Sequence, residues 1–119
     1  MITIVNKRTA EPVPENTVRV YVGRGSPLGN PFSHREGTLA KHLVATRDDA
    51  IWHYRDWLIR RLNSFDPSER QGGPEIAEMN RLFALVSAGF NLELACWCVP
   101  APCHAEVIKD LLERRLDGK

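Results

Sequence analysis

Three cysteines and a histidine carry the most reactive chemistry in this chain, and all four fall in the stretch LELACWCVPAPCHAEVIKDLL, residues 92–112. A thiolate is both a nucleophile and a metal ligand, and its ionisation responds to nearby charge and to helix N-termini. The spacing admits three chemistries. Cys103 can act as a low-pKa nucleophile with His104 as its base and Cys98 as a resolving thiol. Cys96, Cys98, Cys103 and His104 also match the ligand inventory of a tetrahedral zinc site. Against zinc, the adjacent Cys103 and His104 leave a helix in directions about 100° apart, and Cys96 lies deeper in its strand. Finally, cysteine is often a small buried side chain with no chemistry at all. Residue types alone do not choose among these.

A second stretch, GRGSPLGNPF at residues 23–32, has the composition of a ligand loop. Arg24 can clamp a phosphate or carboxylate, Gly25 and Gly29 let backbone N–H groups approach it, and Ser26 and Asn30 can reach a sugar or base. The Lys-Ser/Thr ending of a Walker loop is missing, as is the dinucleotide fingerprint. The competing reading is a rigid turn in which the glycines serve backbone shape and Arg24 pairs internally.

Other residues give weaker signals. His34, His42 and His53 are scattered, and His53 reads as a surface residue. Trp52, Trp57 and Trp97 could stack a base, although large aromatics in a small domain usually belong to the core. Asp48 and Asp49 read as helix N-terminal acids. The pairs Arg60–Arg61 and Arg114–Arg115 read as solvated faces. Glycosidic-bond chemistry would need a carboxylate, and Glu106, one turn into the last helix, is the nearby candidate.

The elements that must position these residues follow from periodicity. Ile2 to Val5 is a short β-branched run, and Val18, Val20 and Val22 alternate with Arg19 and Tyr21 as a second strand ending at Gly23. Residues 33–45 give no firm assignment, with Leu39 to Leu43 the place for a helical turn. Thr46 and Asp49 form a capping pattern, and Ile51, Tyr54, Leu58 and Leu62 mark one face of a helix. Residues 63–73 read as a loop, and Pro74 opens a helix through Ser87. Leu92, Leu94, Cys96 and Cys98 alternate as a third strand. A proline turn follows at residues 99–102, and a helix begins at Cys103. The order strand, strand, helix, helix, strand, helix predicts an α/β fold, a small, mainly parallel, Rossmann-like sheet flanked by helices. Parallel second and third strands would bring both motif loops to one carboxyl edge, the usual ligand edge of such sheets.

The chain has 119 residues, 43% hydrophobic and 26% charged, enough for a single α/β domain over residues 1–119. A formal net charge of +1 gives no sign of a general duplex nucleic acid binder. No apolar run approaches a membrane span and no signal peptide is legible, so no membrane partner and a cytoplasmic location are expected. Three clustered cysteines are an odd number, unlike a secreted disulfide framework. Three strands make a small sheet with edges on which a homodimer could form.

Taken together, VYVGRGSPLGNPF, the tryptophan-bearing helix and LACWCVPAPCHAEVI resemble the phage and bacterial family called domain of unknown function 4326, over roughly Val18 to Leu112. That resemblance implies an uncharacterised family and no reaction. The strand, proline turn and Cys-His pair are also similar to domain of unknown function 488, a Rossmann-like family in which an arginine is expected after the Cys-His pair; here Ala105 stands there, so its role does not carry over. The expected function is binding or processing of a small-molecule nucleotide-like ligand (nucleotide, nucleoside or modified base) between the two loops. The rivals are a noncatalytic interaction protein and a small zinc-binding module.

Overall fold

The computed structural model describes residues 1–33, 42–63, 73–98, 101 and 103–118. Its elements in chain order are β1 (Ile2–Asn6), β2 (Thr17–Tyr21), β3 (Phe32–Ser33), β4 (His42–Leu43), α1 (Arg47–Asn63), α2 (Pro74–Ser87), β5 (Asn91–Cys96) and α3 (Ala105–Asp117).

β5 is the centre of a three-stranded sheet ordered β1-β5-β2, with both pairings parallel. The register aligns Ile2, Leu92 and Val18 in one row and Ile4, Leu94 and Val20 in another. Because side chains alternate faces along a strand, these rows share one face. They meet Tyr54 and Leu58 of α1, Met79 and Leu82 of α2, and Val107, Ile108 and Leu112 of α3 in a single apolar core. The row between them holds Thr3, Glu93 and Arg19, and an Arg19–Glu93 ion pair at 2.7 Å lies on the other face. The structure has the expected α/β architecture, a small parallel sheet with three helices, compatible with a Rossmann-like fold. All three helices contribute to the core on the aliphatic face, while the opposite face carries the polar row and a second row of Val5, Ala95 and Tyr21, of which Ala95 is buried.

Local signals explain the helix starts. In α1 the Thr46 hydroxyl accepts the Asp49 amide at 3.1 Å, the cap that the sequence pattern predicts. Pro74 occupies the first turn of α2, where its missing N–H costs nothing. Helix α3 starts at Ala105, with His104 as its N-cap residue and Cys103 just before it. The expected helical start at Cys103 is thus two residues early. β5 ends at Cys96, before the Cys98 assigned to it.

Several expectations are corrected. His42–Leu43 are not helical but pair with β3 in parallel, with Val44 N–H bonded to the Ser33 carbonyl at 2.7 Å. Residues 39–41 of that expected turn, His34, and the loop and turn expectations at 64–72, 99, 100 and 102 lie outside the described residues. Trp57 packs on the core, whereas Trp52 is 62% and Trp97 52% exposed. Arg61 is not a solvated charge, because it bonds the buried Glu75 at 2.5 Å and ties α1 to the start of α2. Arg115 lies over the Phe83 ring. Among the described residues no helix is long and apolar enough to cross a membrane.

Candidate functional site

The parallel pairing of β2 with β5 brings both motif loops to the carboxyl edge of the sheet. Val22 prolongs the ladder by donating its N–H to the Ala95 carbonyl at 3.0 Å, and the chain then turns at Gly23. Two tight turns follow. Ser26 N–H bonds the Gly23 carbonyl at 3.1 Å and Gly29 N–H bonds the Ser26 carbonyl at 3.0 Å. The Ser26 hydroxyl also donates to the Gly23 carbonyl, at 2.6 Å. Gly25 has a φ of +94°, and a Cβ on Gly29 would stand 2.8 Å from the Gly23 carbonyl oxygen. Gly25, Ser26 and Gly29 therefore shape the loop, and none of them lines the cavity beside it.

Asn30 and Arg24 do line that cavity. The Asn30 amide donates to the Ala50 carbonyl at 3.1 Å, which fastens the loop to α1, and accepts the Phe32 amide at 2.8 Å, which closes the loop on itself. The Tyr54 hydroxyl adds a bond to the Leu28 carbonyl at 2.8 Å. Arg24 is held differently. One terminal nitrogen donates to the Phe32 carbonyl at 2.9 Å, while Nε is buried with no hydrogen-bond partner among the described residues. A buried N–H left unpaired costs about 1–3 kcal/mol, more when charged.

Across the cavity, the cysteines form one cluster. Cys103 Sγ lies 3.0 Å from Cys96 Sγ, so Cys96 is not too deep to join. The end of β5 and the segment entering α3 fold against each other, which brings the two thiols together. Cys98, just past the strand end, is half-buried and accepts from both of its neighbours. Donation from Cys103 first, and from Cys96 second, holds the Cys98 thiol well below its ordinary pKa, outweighing its own desolvation. Arg47 and His104 act in the same direction. Cys103 is pushed the opposite way, chiefly through its bonds to Cys96 and then Cys98, with burial adding to them. Within this cluster ionisation is favoured at Cys98 and disfavoured at Cys103.

His104 is buried and meets the Val22 carbonyl through Nε2 at 2.5 Å. A carbonyl only accepts, so Nε2 carries the proton. Burial pushes the imidazole pKa down, more than the Val22 bond raises it. Neutral His104 therefore presents the lone pair of Nδ1, 3.4 Å from Cys103 Sγ. Among the described residues no group of three or more His, Cys, Asp or Glu is arranged to hold a metal ion.

Between these walls lies a cavity of about 370 Å³ that Arg24, Asn30, Cys96, Cys98, Cys103 and His104 all line. Sequence reasoning missed Arg47, which lies on its wall. The available signal was its place directly after the Thr46 cap, at the start of a helix packed on β3. Trp97 also lines the cavity, and its position between two cysteines at a strand end was the clue. Glu106 is exposed and belongs to a separate depression with Asp48.

The model of a family described as a domain of unknown function (DUF4326) matches residues 5–114. The chain belongs to DUF4326. In this DUF4326 domain the matched span contains both motif loops, all three helices up to Arg114 and every residue lining the cavity. Ala105, where the other family would have arginine, is fully buried against the core, a position with no room for a guanidinium. No characterised protein and no solved structure matches the DUF4326 chain.

Proposed function

We propose that this DUF4326 domain binds a nucleotide, nucleoside or modified base in the cavity between its two loops and acts on it through the Cys98 thiolate. The observation that carries the reading is the Arg24 side chain, which lines the cavity, is held by the Phe32 carbonyl and has a buried Nε without a hydrogen-bond partner among the described residues. The guanidinium as a whole offers an anionic group on a ligand a charge-assisted bond from the cavity side. Arg47 adds positive charge and Trp97 a flat apolar face on which a base can stack.

Within this reading Cys98, not Cys103, is the nucleophile, because it is the thiol that is both ionised and in contact with the cavity. Cys103 acts as hydrogen-bond donor to the thiolate, and His104 Nδ1 accepts from Cys103 if its proton moves. Three free cysteines are consistent with a reducing compartment, so the proposed location is the cytoplasm. A homodimer would form along the outer edge of β1 or β2, each of which has a single strand neighbour in the sheet.

Calorimetric titration with a panel of nucleobases, nucleosides and nucleoside phosphates tests the proposal. Binding of at least one phosphate-bearing member is expected, weakened about 10- to 100-fold by Arg24→Gln through loss of a charge-assisted bond. No binding by any member of the panel would overturn the reading.

A further inference from the structure

Trp97 stands on the wall that separates the cavity from a second depression of about 490 Å³ formed with Asn6, Arg8 and Thr9. Half of this large ring is exposed, in a chain whose other two tryptophans lie on α1. Two cations converge on it. The Lys7 ammonium lies 5.3 Å from the Trp97 ring centroid and 4.1 Å from that of Tyr21, and the Arg8 guanidinium lies 5.8 Å from Trp97. Both are exposed and neither forms an ion pair with an acidic side chain among the described residues. Tyr21 and Trp97 line the first cavity and Trp97 also lines the second, so aromatic rings stand between Arg24 and Arg8.

We infer that the ligand extends beyond one nucleotide: the site takes the end of a single-stranded nucleotide chain, and Trp97 separates two successive bases. This rests on the proposed function above, since it assumes that the first nucleotide sits in the cavity. Bases stack on exposed aromatics with little sequence preference, while neighbouring Lys and Arg neutralise the linking phosphates. One stacked base beside two cations that have no acidic partner among the described residues is that combination at the scale of a single step. The domain's charge of +1 fits a short local contact and not a long duplex tract. The chain end threads past Trp97, with its second base against the exposed part of the ring and its phosphate between Lys7 and Arg8.

The test compares thymidine monophosphate, the thymidine dinucleotide and a tetranucleotide with the uridine counterparts, by calorimetry on the full chain. The panel is repeated on a Lys7→Ser, Arg8→Ser double variant, whose substitutions are exposed and outside the first cavity; circular dichroism confirms its fold. The expected result is monophosphate binding equal in both proteins and a dinucleotide bound at least about tenfold more tightly than the monophosphate by the parent alone. The logarithmic salt slope of the parent should exceed that of the variant by about 0.7 for the one phosphate contacted. The deoxy and ribo series report which sugar is preferred. Monophosphate binding with no gain for the dinucleotide would overturn this inference and leave the pocket reading standing. So would a gain that survives the double substitution, because the second nucleotide would then lie elsewhere. Failure of every member of the panel would overturn both.

Discussion

The neighbours of Cys98 lower its thiol pKa, which makes its reactivity separable from theirs. Iodoacetamide should modify Cys98 first, and the reaction should persist at mildly acidic pH, where an ordinary thiol near pKa 8.5 is almost fully protonated. Peptide mass mapping after brief labelling at pH 5.5 should find the label on Cys98 and not on the buried Cys96 or Cys103. Replacing Cys103 by Ala removes the strongest of the donors that stabilise the thiolate. The pH at which labelling becomes half-maximal should then move upward. An unchanged profile would assign the thiolate to Arg47 and the remaining neighbours. Three cysteines within eight residues could be read as reactive from the sequence, but which of them is ionised could not. That depends on which sulfur donates and which accepts, set by how the end of β5 meets the start of α3.

At the scale of elements, the sequence was most legible where a local signal stood alone. Pro74 and Ser87 bound α2 as expected, and Thr46 caps α1 through the predicted amide. β3 and β4 were invisible, because two-residue strands carry no periodicity, and their pairing is instead set by contacts between Phe32, His42 and α1. The GRGSPLGNPF loop was found, but of its five named residues Gly25, Ser26 and Gly29 serve the loop itself. Gly29 shows how rigidly. A Cβ there would meet the Gly23 carbonyl oxygen at 2.8 Å and Arg24 Cα at 2.9 Å, both backbone atoms that cannot swing aside. Gly29→Ala should cost roughly 1–3 kcal/mol by overpacking, measured by urea unfolding, and should also weaken ligand binding by displacing Arg24. Tyr54→Phe provides a contrast from the same contact region. It strips the buried Leu28 carbonyl of its donor for about 1–3 kcal/mol, without altering a residue of the cavity wall.

For the whole molecule, the buried titratable groups predict how stability depends on pH. His104 is held neutral, so below its ordinary pKa of about 6.5 the unfolded chain binds a proton that the folded one lacks. Its contribution is complete above about pH 6.5 and lost as pH falls, with a limiting slope of about 1.4 kcal/mol per pH unit. Cys98 has the same sign over a higher range. Its folded pKa is depressed, so its contribution is complete above the unfolded value near 8.5 and declines as pH falls toward the folded one. Cys103, held protonated, contributes below about pH 8.5 and loses that contribution above it. Thermal melts should therefore show stability rising from mildly acidic pH and turning over near pH 8.5. His104→Gln should flatten the acid limb and Cys98→Ala the segment between about pH 6.5 and 8.5. A ligand of the cavity at a hundred times its Kd should add about 2.7 kcal/mol throughout.

The position of β5 between β1 and β2 also governs the order in which the molecule can be made. Ile2 finds its partner in Leu92, and Val18 finds the same residue, so neither early strand has a neighbour until β5 has been synthesised. At ordinary elongation rates that is an interval on the order of ten seconds. During it the nascent chain holds β-branched strands and the apolar faces of α1 and α2 with no sheet to receive them, the state in which chaperones capture a chain. The cavity is made at the same moment as the core, since one strand completes both.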